Sequence, residues 1–252
     1  MNVTALQLAE VEFRQRLDSL GQDARAAVRY SYAGPALNTL AAQRMELLEE
    51  IDRHAGFWNL VLGAVQTAAV VALGRIYDSR RDVLSASRLL AHTARYPGIF
   101  GADALTARKI AHGLTADQAR TYTGESFLPA ERDFASLRAA LAEHTAEFDR
   151  SIGPVRDKVY AHTGRITRED LDRMYANVPS PSDFERLAVF PLRLHRSLEM
   201  LYRDGIKPDL PEAPTDIQEI LRNPVGRRAV SWEHRHTVKE ITEFLDTLTA
   251  SS

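Results

Sequence analysis

The chain contains no cysteine, which excludes a disulfide framework, a thiolate nucleophile and a thiolate metal site, and fits a reducing cytoplasm. Lysine is scarce, four residues beside 28 arginines. That skew reads first as coding bias, although arginine is also the better bidentate partner for phosphate. Net charge is close to nil, −2, so any nucleic-acid site must be a local patch and not a general field. No alternating run of strand-forming residues occurs, and no repeat of solenoid period. Gly-x-Ser-x-Gly, the phosphate loop and His-Glu-x-x-His are all missing. His234 and His236 stand two apart, about 200° round a helix, and cannot chelate one metal from a straight helix. The opening Met1-Asn2-Val3-Thr4 lacks the basic-then-apolar layout of a signal peptide. The one long apolar run, Phe57 to Leu73, contains Asn59 and Gln66 and lies between Arg53-His54 and Arg75. It falls short of the roughly twenty apolar residues that span a bilayer, so it predicts a buried core helix and no membrane association.

What is present is ordinary globular composition, 44% hydrophobic and 26% charged, on a chain long enough to bury a large core. Leu6, Phe13, Leu17 and Leu20 outline a helix ending near Gly21. Leu37, Leu40, Leu47, Leu48 and Ile51 outline another that opens after Gly34-Pro35. Phe57 to Tyr77 is apolar nearly all round, the mark of a helix covered by neighbours. Short helices are expected from Ser85 or Asp82 through His92 and from Asp103 to His112. Gly113 to Pro129 reads as a loop with a helical turn at Ala116 to Tyr122, and Thr167-Arg168-Glu169-Asp170 as a capping box. Pro181-Ser182-Asp183 opens a helix kinked at Pro191. The fold class is therefore all-α. The expected layout is a helical domain over 1–204, a Pro-rich linker over 205–226 and an accessory helix within 227–252 carrying Val238, Ile241, Leu245 and Leu248.

The informative segment is a helix expected over about 130 to 162. Phe134, Leu137, Leu141, Phe148, Ile152, Val155 and Val159 form one stripe that keeps phase through Gly153-Pro154, where a kink is expected. At its end stands Arg156-Asp157-Lys158-Val159-Tyr160-Ala161-His162, closed by Thr163-Gly164. At about 100° per residue, Arg156 and His162 flank the stripe on opposite sides. Two copies packed stripe to stripe about a two-fold axis would bring Arg156 of one towards His162 of the other. Spacing by itself carries no weight. About three Arg-to-His pairs with four to six intervening residues are expected by chance. Four occur: Arg138/His144, Arg156/His162, Arg227/His234 and Arg228/His234. Only Arg156/His162 lies in an apolar-striped helix that ends Ala-His at a helix stop.

That string resembles the Arg-x(4–6)-His motif of the HEPN superfamily, and its wording is most similar to the abortive-infection branch of AbiU type. A second stretch, from Leu73-Gly74-Arg75-Ile76-Tyr77 to Ser87-Arg88-Leu89-Leu90, resembles the place in that branch where a buried helix gives way to a polar turn. The resemblance implies a HEPN-like helical bundle with extra helices. It also implies metal-independent cleavage of RNA to a 2′,3′-cyclic phosphate, in a defence system of the abortive-infection or toxin–antitoxin kind. Arg156 would hold the phosphate, His162 would do acid–base work, and Asp157, Lys158 and Tyr160 would support them. Arg80 and Arg81 would extend the phosphate site, against the plainer reading of a solvated turn flanked by Asp78 and Asp82. Implied partners are RNA, a second copy of the chain and a cognate antitoxin, without cofactor or metal. Two alternatives stay open. In one, Arg156 pairs with an acid and His162 is a satisfied helix-end histidine; in the other, the chain is a non-catalytic HEPN-like dimer that binds nucleotide, RNA or a protein.

Overall fold

A computed structural model describes residues 3–80, 83–157, 167–169, 172, 176–177, 179–210 and 232–250, without the side chains of 3–4, 232–235 and 248–250. Every regular element among the described residues is helical, as the sequence predicts. In chain order these are α1 (Val3–Gln43), α2 (Met45–Arg53), α3 (Ala55–Tyr77), α4 (Ala86–Arg95), a 3-10 turn (Pro97–Phe100), α5 (Ala102–Ala111), α6 (Ala116–Glu125), α7 (Glu131–Ser151) and the short α8 (Gly153–Val155). A helix over Pro181–Asp204 and a last one over Trp232–Ala250 follow.

The first predicted helix does not end near Gly21, and the second is divided between two elements, Leu37 and Leu40 falling in α1 and Leu47, Leu48 and Ile51 in α2. α1 runs past Gly21 and through Pro35. Gly21 serves close packing and not termination, since a Cβ there would lie 2.5 Å from Nε2 of His195 and 2.7 Å from its Cδ2. Pro35 removes one helical hydrogen bond, but Tyr32, Ala36, Leu37 and Leu40 around it are all buried. Packing of the apolar face outweighs the local penalty. The break comes instead at Arg44, in extended conformation between α1 and α2. The expected loop over 113–129 contains a full helix, α6. Thr115 and Gln118 form a reciprocal capping box there, with Gln118 N–H donating to Thr115 Oγ1 at 3.3 Å and Thr115 N–H to Gln118 Oε1 at 2.9 Å. The Pro181 helix begins as expected, Ser180 Oγ accepting from Asp183 N–H at 3.1 Å, and continues through Pro191.

The chain forms two compact units, each assembled from three separated segments. The first comprises 1–23, 75–148 and 190–211. Its core is aromatic: the Phe13 ring lies 5.2 Å from Phe100 and 5.1 Å from Tyr202, and Phe100 lies 5.1 Å from Phe134. The second comprises 24–74, 149–189 and 212–252. Its core gathers Leu37, Leu40, Ala41, Leu47, Trp58 and Leu245, with Ile51, Leu62 and Ile241 packed against them. Leu245 is fully buried there, and Asp246 accepts a hydrogen bond from Arg44. The last helix, expected to be an accessory, thus contributes to this core. Of the expected linker, residues 205–210 are irregular and 211–226 lie outside the described residues.

Two apolar surfaces differ from expectation. The stripe on α7 is covered by the chain itself: Phe134, Leu137, Leu141, Phe148 and Ile152 are all buried. Pairing two copies stripe to stripe would need those five residues uncovered, whereas Val155, further along the stripe, is only partly buried. Conversely, α3 is only partly covered. It is long and apolar enough to cross a membrane by length and composition, and 39% of its most apolar stretch is buried. Phe57 and Leu60 are 60% and 71% exposed.

Candidate functional site

The motif begins where α7 ends. Pro154 has no N–H to donate and its ring crowds the carbonyl four residues back, so regular helix stops at Ser151 and Ile152 departs from it. The helical course resumes at once, Arg156 N–H donating to Ile152 O at 2.9 Å. The expected kink is therefore present, and the helix then widens to a π turn at Arg156 and Asp157. Such turns redirect side chains that an ideal helix would aim elsewhere.

In the second unit, Arg156 reaches back to α3. Its Nη1 donates to the Gly74 carbonyl at 3.2 Å, and its Nε donates to Asp157 Oδ1 at 2.8 Å. The stem lies across the bare Cα of Gly74: a Cβ on that residue would fall 2.5 Å from Arg156 Cδ, 3.2 Å from Nη1 and 3.4 Å from Nε. Gly74 sits in the last turn of α3, the negative end of the helix dipole, where a cation and a carbonyl acceptor suit each other. The Arg156 side chain is 22% exposed and that of Asp157 53%. The guanidinium is thus held by two groups, the Gly74 carbonyl and the Asp157 carboxylate. An ion pair with a half-exposed carboxylate contributes only about 0–1 kcal/mol, so Asp157 orients the arginine more than it stabilises the fold.

Of the residues singled out in the sequence, Arg156 and Asp157 are thus brought together. Lys158, Tyr160, His162 and Arg81 lie outside the described residues. Arg80 belongs to the other unit and is engaged by its neighbour: Nε and Nη2 donate to Asp78 at 2.8–3.1 Å, and Asp78 also accepts from the Arg80 backbone N–H at 2.9 Å. Asp78 is buried while the Arg80 side chain is 69% exposed. This is an aspartate-capped turn whose charge is already compensated, closer to the plainer of the two readings. Among the described residues no three His, Asp or Glu side chains converge as a metal would require.

Gly74 is the residue that motif reading passed over. It stands inside the second of the two stretches that carry the family resemblance, yet a glycine in an apolar helix gives no sign of what crosses it. The signal available was only its cost, since glycine is a poor helix former placed where alanine would otherwise serve.

The described residues form an all-helical chain, and comparison with known families gives its class, HEPN. The family is AbiU2: the HEPN-type AbiU2 family model matches residues 10–222, most of the chain, which belongs to that family. The match includes both Gly74 and Arg156 and stops short of the last helix. No curated protein and no solved structure matches the chain. The family name marks a defence-associated, abortive-infection HEPN domain.

Proposed function

We propose that the chain is a metal-independent RNA endonuclease of an abortive-infection or toxin–antitoxin system. The observation that carries this reading is Arg156, the first residue of the motif, seated on Gly74 and Asp157, in a chain of the AbiU2 family. In this reaction the ribose 2′-oxygen attacks the neighbouring phosphorus and the bond to the 5′-oxygen breaks. The products are a 2′,3′-cyclic phosphate and a free 5′-hydroxyl. Arg156 neutralises the charge that grows on the phosphate oxygens, as a planar donor fork does best. An imidazole can both give and take a proton near neutrality, and His162 exchanges protons with the 2′-hydroxyl or the leaving oxygen. Asp157, Lys158 and Tyr160 support the pair.

The partners follow from the same reading: RNA, a second copy of the chain, and a cognate antitoxin, all in the cytoplasm. With the α7 stripe buried, the surface that supports a homodimer is the open face of α3 around Phe57 and Leu60. No charged residue interrupts it between His54 and Arg75. A second reading, a non-catalytic HEPN-like dimer that binds nucleotide, RNA or protein, is favoured by the Arg156–Asp157 pair, which already offsets the motif charge.

Cleavage of single-stranded RNA with and without EDTA separates the two. The ribonuclease is expected to ignore chelator and to stop when the 2′-hydroxyl at the cut site is replaced by hydrogen. Arg156→Ala and His162→Ala are each expected to slow it about a hundredfold or more. Binding without cutting by the wild type selects the second reading, and an active His162→Ala protein removes the mechanism.

A further inference from the structure

We infer that Gly74 is a positioning residue for the motif arginine: its missing side chain is the space the Arg156 stem occupies, and its carbonyl fixes the guanidinium plane. The inference rests on the ribonuclease reading of Arg156 and adds a second helix to the site. α3 holds three glycines, and they are not equivalent. A Cβ built on Gly56 or Gly63 meets nothing within 4 Å, whereas on Gly74 it overlaps Arg156 Cδ at 2.5 Å. Cδ is the middle of the stem and not its free end, so the side chain cannot simply swing its tip aside. Ordinary carbon–carbon contact lies at about 3.5–4.0 Å, so an alanine at 74 lifts the stem by roughly 1–1.5 Å. That moves Nη1 off the Gly74 carbonyl, now 3.2 Å away, and disturbs the bond from Nε to Asp157. Misplacing a catalytic group by about 1 Å can cost a hundredfold in rate.

A merely structural glycine and a positioning one predict different couplings, and full-length protein with a short single-stranded RNA under single-turnover conditions tells them apart. The set is wild type, Gly74→Ala, Arg156→Ala and the double variant. Positioning predicts that Gly74→Ala slows cleavage by about ten- to a hundredfold. It also predicts that the double variant is no slower than Arg156→Ala, because with the guanidinium gone there is nothing left to misplace. A structural role predicts the same slowing factor in both backgrounds, and that result, or a wild-type rate for Gly74→Ala, overturns the inference. A wild-type rate for Arg156→Ala instead overturns the ribonuclease reading on which it rests. Should Gly74→Ala not fold, Arg156→Lys takes its place: it keeps the charge and the glycine but has no fork to bond Gly74 and Asp157 together. A rate within about tenfold of Arg156→Ala supports the seat, and a wild-type rate overturns it.

Discussion

The stripe on α7 and the apolar face of α3 exchange the roles their sequences suggest. The α7 stripe is narrow and amphipathic, the pattern of a helix that meets a partner, yet Phe134, Leu141, Phe148 and Ile152 are buried within the chain. α3 is apolar almost all round, the pattern of a fully enclosed helix, yet Phe57 and Leu60 stand in solvent while Leu73 and Ile76, further along the same helix, are buried. Hydropathy measures what a surface gains by being covered and is silent on what covers it. A narrow stripe is enough for a surface helix resting on its own core, and an excess of apolar residues is what remains when a helix must satisfy a second surface as well.

Truncating both helices is the hardest test of this contrast. Phe148→Ala, which also removes a ring stacked 5.2 Å from Tyr77, is expected to cost about 3–5 kcal/mol. Leu60→Ala should leave stability within about 0.5 kcal/mol of wild type. Urea titrations of the two variants read the difference directly, and equal losses would erase the distinction. Next in size, Leu245→Ala is expected to cost about 2–5 kcal/mol, because that side chain closes the core of the second unit. A loss near zero by the same titration would return the last helix to the status of an accessory.

Phe57→Asp and Leu60→Asp address the open face itself. They are expected to convert a dimer to a monomer at micromolar concentration by light scattering, with helical content unchanged, since a buried unpaired charge is costly at an interface core. Dimers that persist would put the interface elsewhere. The smallest expected effect concerns acid stability in the first unit. Burial raises the Asp204 carboxyl, but hydrogen bonds and charge from Lys109 and Arg203 outweigh it and hold it below the ordinary range. A depressed carboxylate stabilises above its unfolded value, about 3.9, and the contribution is lost as pH falls through the lower folded value. Asp204→Asn should therefore melt below wild type at pH 6, with the two curves converging as pH falls below the folded value. A gap that stays constant with pH would assign the loss to packing.

The helical class and the interruption of the helix at Gly153-Pro154 were legible in the sequence because each follows from local pattern, periodicity in one case and a proline in the other. Gly21 and Pro35 misled for a physical reason. Both are local breakers, but the fold needs Gly21 as the bare spot that admits His195, and the buried residues around Pro35 hold the helix together. Where α6 stands the sequence shows only a helical turn at Ala116 to Tyr122, because its stabilising element is a side-chain cap at Thr115 and Gln118 and not an apolar stripe. The partnership of Arg156 with Gly74 spans 82 residues, and no periodicity links two positions that far apart. A glycine records an approach only by what it lacks.

The composition of the second unit has a consequence for the timing of synthesis. Its core joins Leu37 to Leu245, and at about 5–20 residues per second a ribosome delivers the second roughly 10–40 s after the first. Until then Leu47 and Trp58 lack the side chain that completes their cluster, although Gly74 and Arg156 have both already been made. A nascent chain can thus carry every motif residue and still have no closed unit in which to hold them.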